Sequence, residues 1–104
     1  MLKNQIVFLS IILAFTFNSV AQQVDAMTFN IRYNNPADSA NSWDNRKEAV
    51  VQLFSHYHPE IFGIQEGLYD QVTYLHDHLK NYDYIGAGRE DGKTKGEIAA
   101  VFYD

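Results

Sequence analysis

Glu66 closes the apolar run over residues 61–65 (IFGIQ) and stands directly before Gly67. A carboxylate at a strand end, beside a residue with no side chain, suits a hard divalent cation. Mg²⁺ takes one or two carboxylates and keeps several waters. Asn30 stands near the corresponding end of an earlier run, VDAMTFNI over residues 24–31. If the two runs are neighbouring parallel strands, both polar side chains reach one rim, where open α/β sheets bind ligands. Each residue also has a plainer reading. Glu66 could be a solvated loop acid, and Asn30 a turn former ahead of Asn34-Asn35-Pro36.

The other chemistry-bearing residues are weaker. Arg89 lies in the polar, glycine-spaced stretch over residues 88–96 and is a candidate phosphate contact or a solvated turn arginine. Lys93 and Lys95 there are read as solvated. The stretch is no phosphate-cradling loop, because no Gly-Lys-Ser/Thr follows and no helix starts there. Trp43 and Arg46 could touch substrate, although a tryptophan opening an amphipathic helix usually anchors a core. His56 and His58 flank a helix end, and His76 and His78 are two residues apart on a helix, so neither pair has chelating spacing.

The elements that must position these residues alternate. Residues 24–31 read as a buried strand. Asn34-Asn35-Pro36 breaks it, and residues 38–41 continue as a polar loop. Ser42 is placed to cap a helix from Trp43, with apolar positions Ala49, Val50, Leu53, Phe54 and Tyr57 on one stripe and Pro59 as its stop. Residues 61–65 form a short strand, 68–79 a helix, 82–87 a strand and 98–103 a final strand. This β-α-β-α-β-β order implies an α/β domain.

Ahead of this body, residues 1–21 carry one charge, Lys3, a 12-residue apolar stretch over 6–17 and the small-residue site Ser19-Val20-Ala21. That is a secretory signal peptide cleaved before Gln22. Twelve residues reach about 18 Å, short of a bilayer core. The expected location is secreted or periplasmic, with no membrane association after cleavage. The whole sequence has a net charge of −5 and no cysteine. Losing Lys3 makes the mature charge −6. An acidic surface repels phosphate unless a metal intervenes, so no stable nucleic-acid complex is expected. Disulfides and thiolate metal sites are excluded.

Four landmarks occur in order: Met27-Thr28-Phe29-Asn30-Ile31-Arg32, then Trp43 with Arg46, then Pro59-Glu60-Ile61-Phe62-Gly63-Ile64-Gln65-Glu66, then the stretch from Gly96 and Glu97 to Tyr103. Together they resemble the front half of the endonuclease/exonuclease/phosphatase superfamily. The resemblance implies a four-layer α/β sandwich and hydrolysis of phosphate esters with Mg²⁺ or Mn²⁺. It makes Glu66 the metal carboxylate and puts Asn30 beside the metal or the scissile phosphate. It makes Glu97 the acid that orients a catalytic histidine. The family's later histidine–aspartate–histidine, aspartate–asparagine and aspartate–histidine motifs are not present in these 104 residues. Residues 22–104 are therefore expected to be the N-terminal portion of such a domain, with little or no activity alone. The alternatives are a small extracellular binding module, or a half-domain that pairs with a separate chain.

Overall fold

The computed structural model describes residues 21–104. Apart from Ala21, the segment read as a signal peptide, residues 1–21, lies outside the described residues. Strand β1 (Ala26–Asn30) leads through a 3₁₀ segment (Pro36–Asn41) into helix α1 (Trp43–Tyr57). Strand β2 (Ile61–Gly67), helix α2 (Tyr69–His78), strand β3 (Asp83–Ile85) and strand β4 (Ile98–Tyr103) follow. The sheet order is β1-β2-β4-β3. β1 and β2 are parallel, with α1 as the crossover between them, as parallel neighbours require. β4 runs antiparallel to both β2 and β3.

The helices cover one face of this sheet. Strand alternation sends Phe62 and Ile64 of β2, and Ile98, Ala100 and Phe102 of β4, into the core with Val50, Phe54, Val72 and Leu75. Aromatic rings form the central row. Phe54 stacks on Phe62 at 3.9 Å, Phe62 on Phe102 at 4.8 Å, and Phe102 on Tyr84 at 5.2 Å. The opposite face is open, with Ile61, Ile85, Val101 and Tyr103 exposed. The described residues thus form an α/β unit of one sheet and one helical layer. Among them, no helix is long and apolar enough to cross a membrane.

Several local readings change. β1 is not a buried strand. It lies at the sheet edge, and only Met27 among its five residues is partly buried. The polar loop contains a 3₁₀ segment, begun by Pro36 and by Asn35, whose side chain accepts from the Ala37 N–H at 3.0 Å. Ser42 occupies the N-cap of α1, but its side chain forms no capping bond. α1 ends on His58 in the left-handed region, with its N–H donated to the Phe54 carbonyl, ahead of Pro59. Trp43 is buried, as a core anchor should be.

Candidate metal centre

The parallel pairing places Asn30 opposite Gln65, so Glu66 lies one residue beyond Asn30 along the same rim. The β2–β4 register slips between Ile64 and Gly67, and Glu66 sits in this irregularity with φ +61°. A bulge re-aims a side chain that regular alternation would send elsewhere. Here the Glu66 carboxylate meets Asn30, whose Nδ2 donates to Oε1 at 2.9 Å. The Asn30 Oδ1 in turn accepts the Arg32 N–H at 2.8 Å. Asn30 therefore uses both ends of its amide to tie the carboxylate to the loop after β1.

Arg32 also has a left-handed backbone, with φ +55°. Its guanidinium grips Asp38 through Nε and Nη2, each at 2.6 Å. That paired hydrogen bond, and then the charge attraction, raise the arginine's pKa. The hydrogen bond from Arg32 is also the main reason Asp38 lies below its ordinary 3.8. Arg46 secures the same loop from α1, donating Nε to the Asn41 carbonyl at 2.7 Å and Nη1 to the Ile31 carbonyl at 2.9 Å. Its role here is to hold backbone.

Gly67 opens no approach to Glu66. A Cβ there would lie 3.0 Å from Val72 Cγ2, 3.2 Å from Ile64 Cδ1 and 3.3 Å from the Ile98 carbonyl. Gly67 is absent of side chain because α2 and β4 close on it, and it leaves no ligand channel.

Glu97 immediately precedes β4, whose start lies beside the end of β2, so its backbone is on the same rim. Its carboxylate is engaged by Arg89, with Nη1 2.6 Å from Oε2. The two residues therefore meet each other at the base of the 88–96 loop, where the Arg89 N–H also donates to the Glu97 carbonyl. None of the four histidines pairs with Glu97 among the described residues. His58 approaches Asp104 at 3.8 Å, His76 approaches Asp83 at 3.5 Å, and His78 Nδ1 donates to the Tyr74 carbonyl.

The donor set suits a hard cation. Glu66 offers carboxylate oxygen, and its Oε2 takes no hydrogen bond among the described residues. Mg²⁺ and Mn²⁺ accept such oxygens and tolerate few protein ligands. Among the described residues, no group of three or more His, Cys, Asp or Glu could hold a metal, so Glu66 is a single carboxylate contribution. A hollow lined by Ser55, His58, Leu79 and Tyr82 lies near the start of β2, away from Glu66 at its end. It contains no comparable carboxylate–amide pair.

Sequence reasoning passed over Gln71. Its side chain is fully buried and all its hydrogen bonds join the two loops around the site. The available signal was a glutamine three residues after Leu68, at the third position of a helix, where it can reach back to the N-cap N–H.

The chain resembles solved structures over the same segment. An endonuclease/exonuclease/phosphatase from Bacteroides vulgatus is 48% identical, with a TM-score of 0.78, covering 80% of this chain and 32% of that one. A mannosyl-6-phosphatase from Bacteroides thetaiotaomicron is 38% identical, with a TM-score of 0.74, covering 78% and 31%. An endonuclease/exonuclease/phosphatase family protein from the same organism is 39% identical, with a TM-score of 0.73, covering 77% and 29%. The chain thus spans about a third of the length of these structures. No curated protein matches it. The model of the Endonuclease/Exonuclease/phosphatase family matches residues 27–101, which hold most of β1, both helices, β2, β3 and most of β4. By that match and by the likeness in fold, the chain belongs to this family.

Proposed function

We propose that this chain is the N-terminal portion of a secreted or periplasmic hydrolase of phosphate esters that depends on Mg²⁺ or Mn²⁺. The observation that carries the reading is the Asn30–Glu66 hydrogen bond at the strand rim, with Glu66 turned by a left-handed backbone. Glu66 would hold the metal through its carboxylate. Asn30 fixes that carboxylate's orientation and stands next to any phosphate bound at the rim. The metal, when bound, neutralises phosphate oxygens and stabilises charge that develops on them. Glu97, paired with Arg89, would orient a catalytic histidine from beyond these residues, and Arg89 would contact substrate if it leaves Glu97. The signal-like segment over residues 1–21 supports export.

A phosphorylated sugar is the favoured substrate class. The mannosyl-6-phosphatase, at 38% identity, supports it. The acidic mature charge favours small esters over long nucleic-acid tracks.

The test is release of phosphate from mannose 6-phosphate by the whole protein with Mg²⁺ or Mn²⁺. Glu66→Ala is expected to lower turnover by more than the roughly 10–100-fold of losing an outer partner of a metal ligand. Residues 22–104 alone are expected to match their own Glu66→Ala control, because groups that act as a unit fail piecemeal. Undiminished turnover in the whole-protein Glu66→Ala variant would sink the reading.

A further inference from the structure

The geometry points to Gln71 as a positioning residue that sets where Asn30 and Glu66 stand relative to each other. Gln71 is the one buried polar residue of the described core, at 0% exposure. Its Oε1 accepts two backbone N–H groups, from Asn34 at 2.8 Å and from Leu68 at 3.0 Å. Its Nε2 donates to the Arg32 carbonyl at 2.9 Å. One side chain therefore fastens the segment that follows Asn30 to the segment that follows Glu66.

Both segments need fastening. Arg32 and Glu66 each hold a left-handed backbone that costs a non-glycine residue on the order of 1 kcal/mol or more, and that persists only where the surroundings enforce it. Arg32 also supplies the N–H that fixes the Asn30 amide, and that amide fixes Glu66. The chain of contacts runs Gln71, Arg32, Asn30, Glu66. Helix α2 carries Gln71, and its Val72 and Leu75 anchor the helix in the core. Asn34 Nδ2 adds a bond to Asp70 Oδ2 at 3.0 Å on the outside of the same joint. Losing Gln71 would leave the Arg32 carbonyl and the Asn34 and Leu68 N–H groups without this partner, in part-buried surroundings.

The test uses the whole protein and two variants. Gln71→Leu removes all three bonds. Gln71→Met also removes them, and fills the site with an unbranched apolar side chain of similar length. Native-state hydrogen exchange, resolved by NMR, reads the Arg32 N–H, which Gln71 does not touch. Positioning predicts exchange at Arg32 faster by about tenfold or more, with the β2 and β4 amides unchanged. Mn²⁺ titration predicts affinity weaker by about tenfold in both variants, the low end of the loss for an outer partner of a metal ligand. If Gln71→Leu does not fold, Gln71→Met decides by the same two readouts. Wild-type exchange at Arg32 in a folded variant overturns the inference. The Mn²⁺ arm rests on the function proposed above, and the exchange arm does not. If wild type and Glu66→Ala bind Mn²⁺ equally, the metal reading fails, and exchange at Arg32 alone decides whether Gln71 positions Asn30.

Discussion

At the scale of single residues, the site rests on the Asn30–Glu66 pair, in which Glu66 Oε2 takes no hydrogen bond among the described residues. Glu66 and Asn30 were legible from sequence because each ends an apolar run. Their contact was not, since 36 residues separate them and only the strand register joins them. The Arg32–Asp38 pair was not legible either, because it depends on the left-handed turn at Arg32. This pair gives a pH prediction. Asp38 lies below its ordinary 3.8 in the folded chain, chiefly through the Arg32 hydrogen bond. A carboxyl depressed by folding adds stability above its unfolded value, and that stability is lost as pH falls through the folded value. Asp91, lowered by the Lys95 and Lys93 N–H groups, acts in the same direction. The urea midpoint should therefore drop on going from pH 6 to below about pH 4. Asp38→Asn should show a smaller drop over that interval. An identical drop in parent and variant would show that the pair does not titrate with folding.

At the scale of elements, α1 and β2 do most of the positioning. The helical stripe of α1 was readable from Val50, Leu53 and Phe54, and Phe54 proves to be its deepest member. Its ring lies flat on Phe62, four residues before Glu66, and edge-on to Phe29, one residue before Asn30. Truncation there removes a large, fully buried ring. Phe54→Ala is expected to destabilise the whole protein by about 3–5 kcal/mol, read from denaturant unfolding. A loss under about 1 kcal/mol would mean that α1 repacks. The stretch that reads as a polar loop holds a 3₁₀ segment for a local reason. Asn35 and Pro36 both favour a turn, and a 3₁₀ segment is too short to carry an apolar stripe. The 88–96 loop was readable from its glycines, one of which has a strict role. A Cβ at Gly88 would lie 2.2 Å from the Lys95 carbonyl oxygen, so the loop closes only on glycine.

At the scale of the whole molecule, the open sheet face is the main feature still to be matched to a partner layer. Ile61, Ile85, Val101 and Tyr103 are 37–69% exposed on it. The family's sandwich architecture implies that a second sheet covers them. Val101→Lys should then lower the melting temperature of the whole protein by several degrees, since a buried charge without a partner is costly. An unchanged melting temperature would leave this face in water. By itself, the sequence determined the order of elements, the apolar faces of the helices and the family, and it singled out Glu66 and Asn30 near strand ends. Those properties follow from local spacing, which a one-dimensional pattern records. Only the tertiary structure decided that β1 is an exposed edge, that Glu97 is held by Arg89, that Gly67 is filled by packing and that Gln71 joins the two loops. Each of these depends on which distant segments become neighbours, and sheet register, not spacing, sets that.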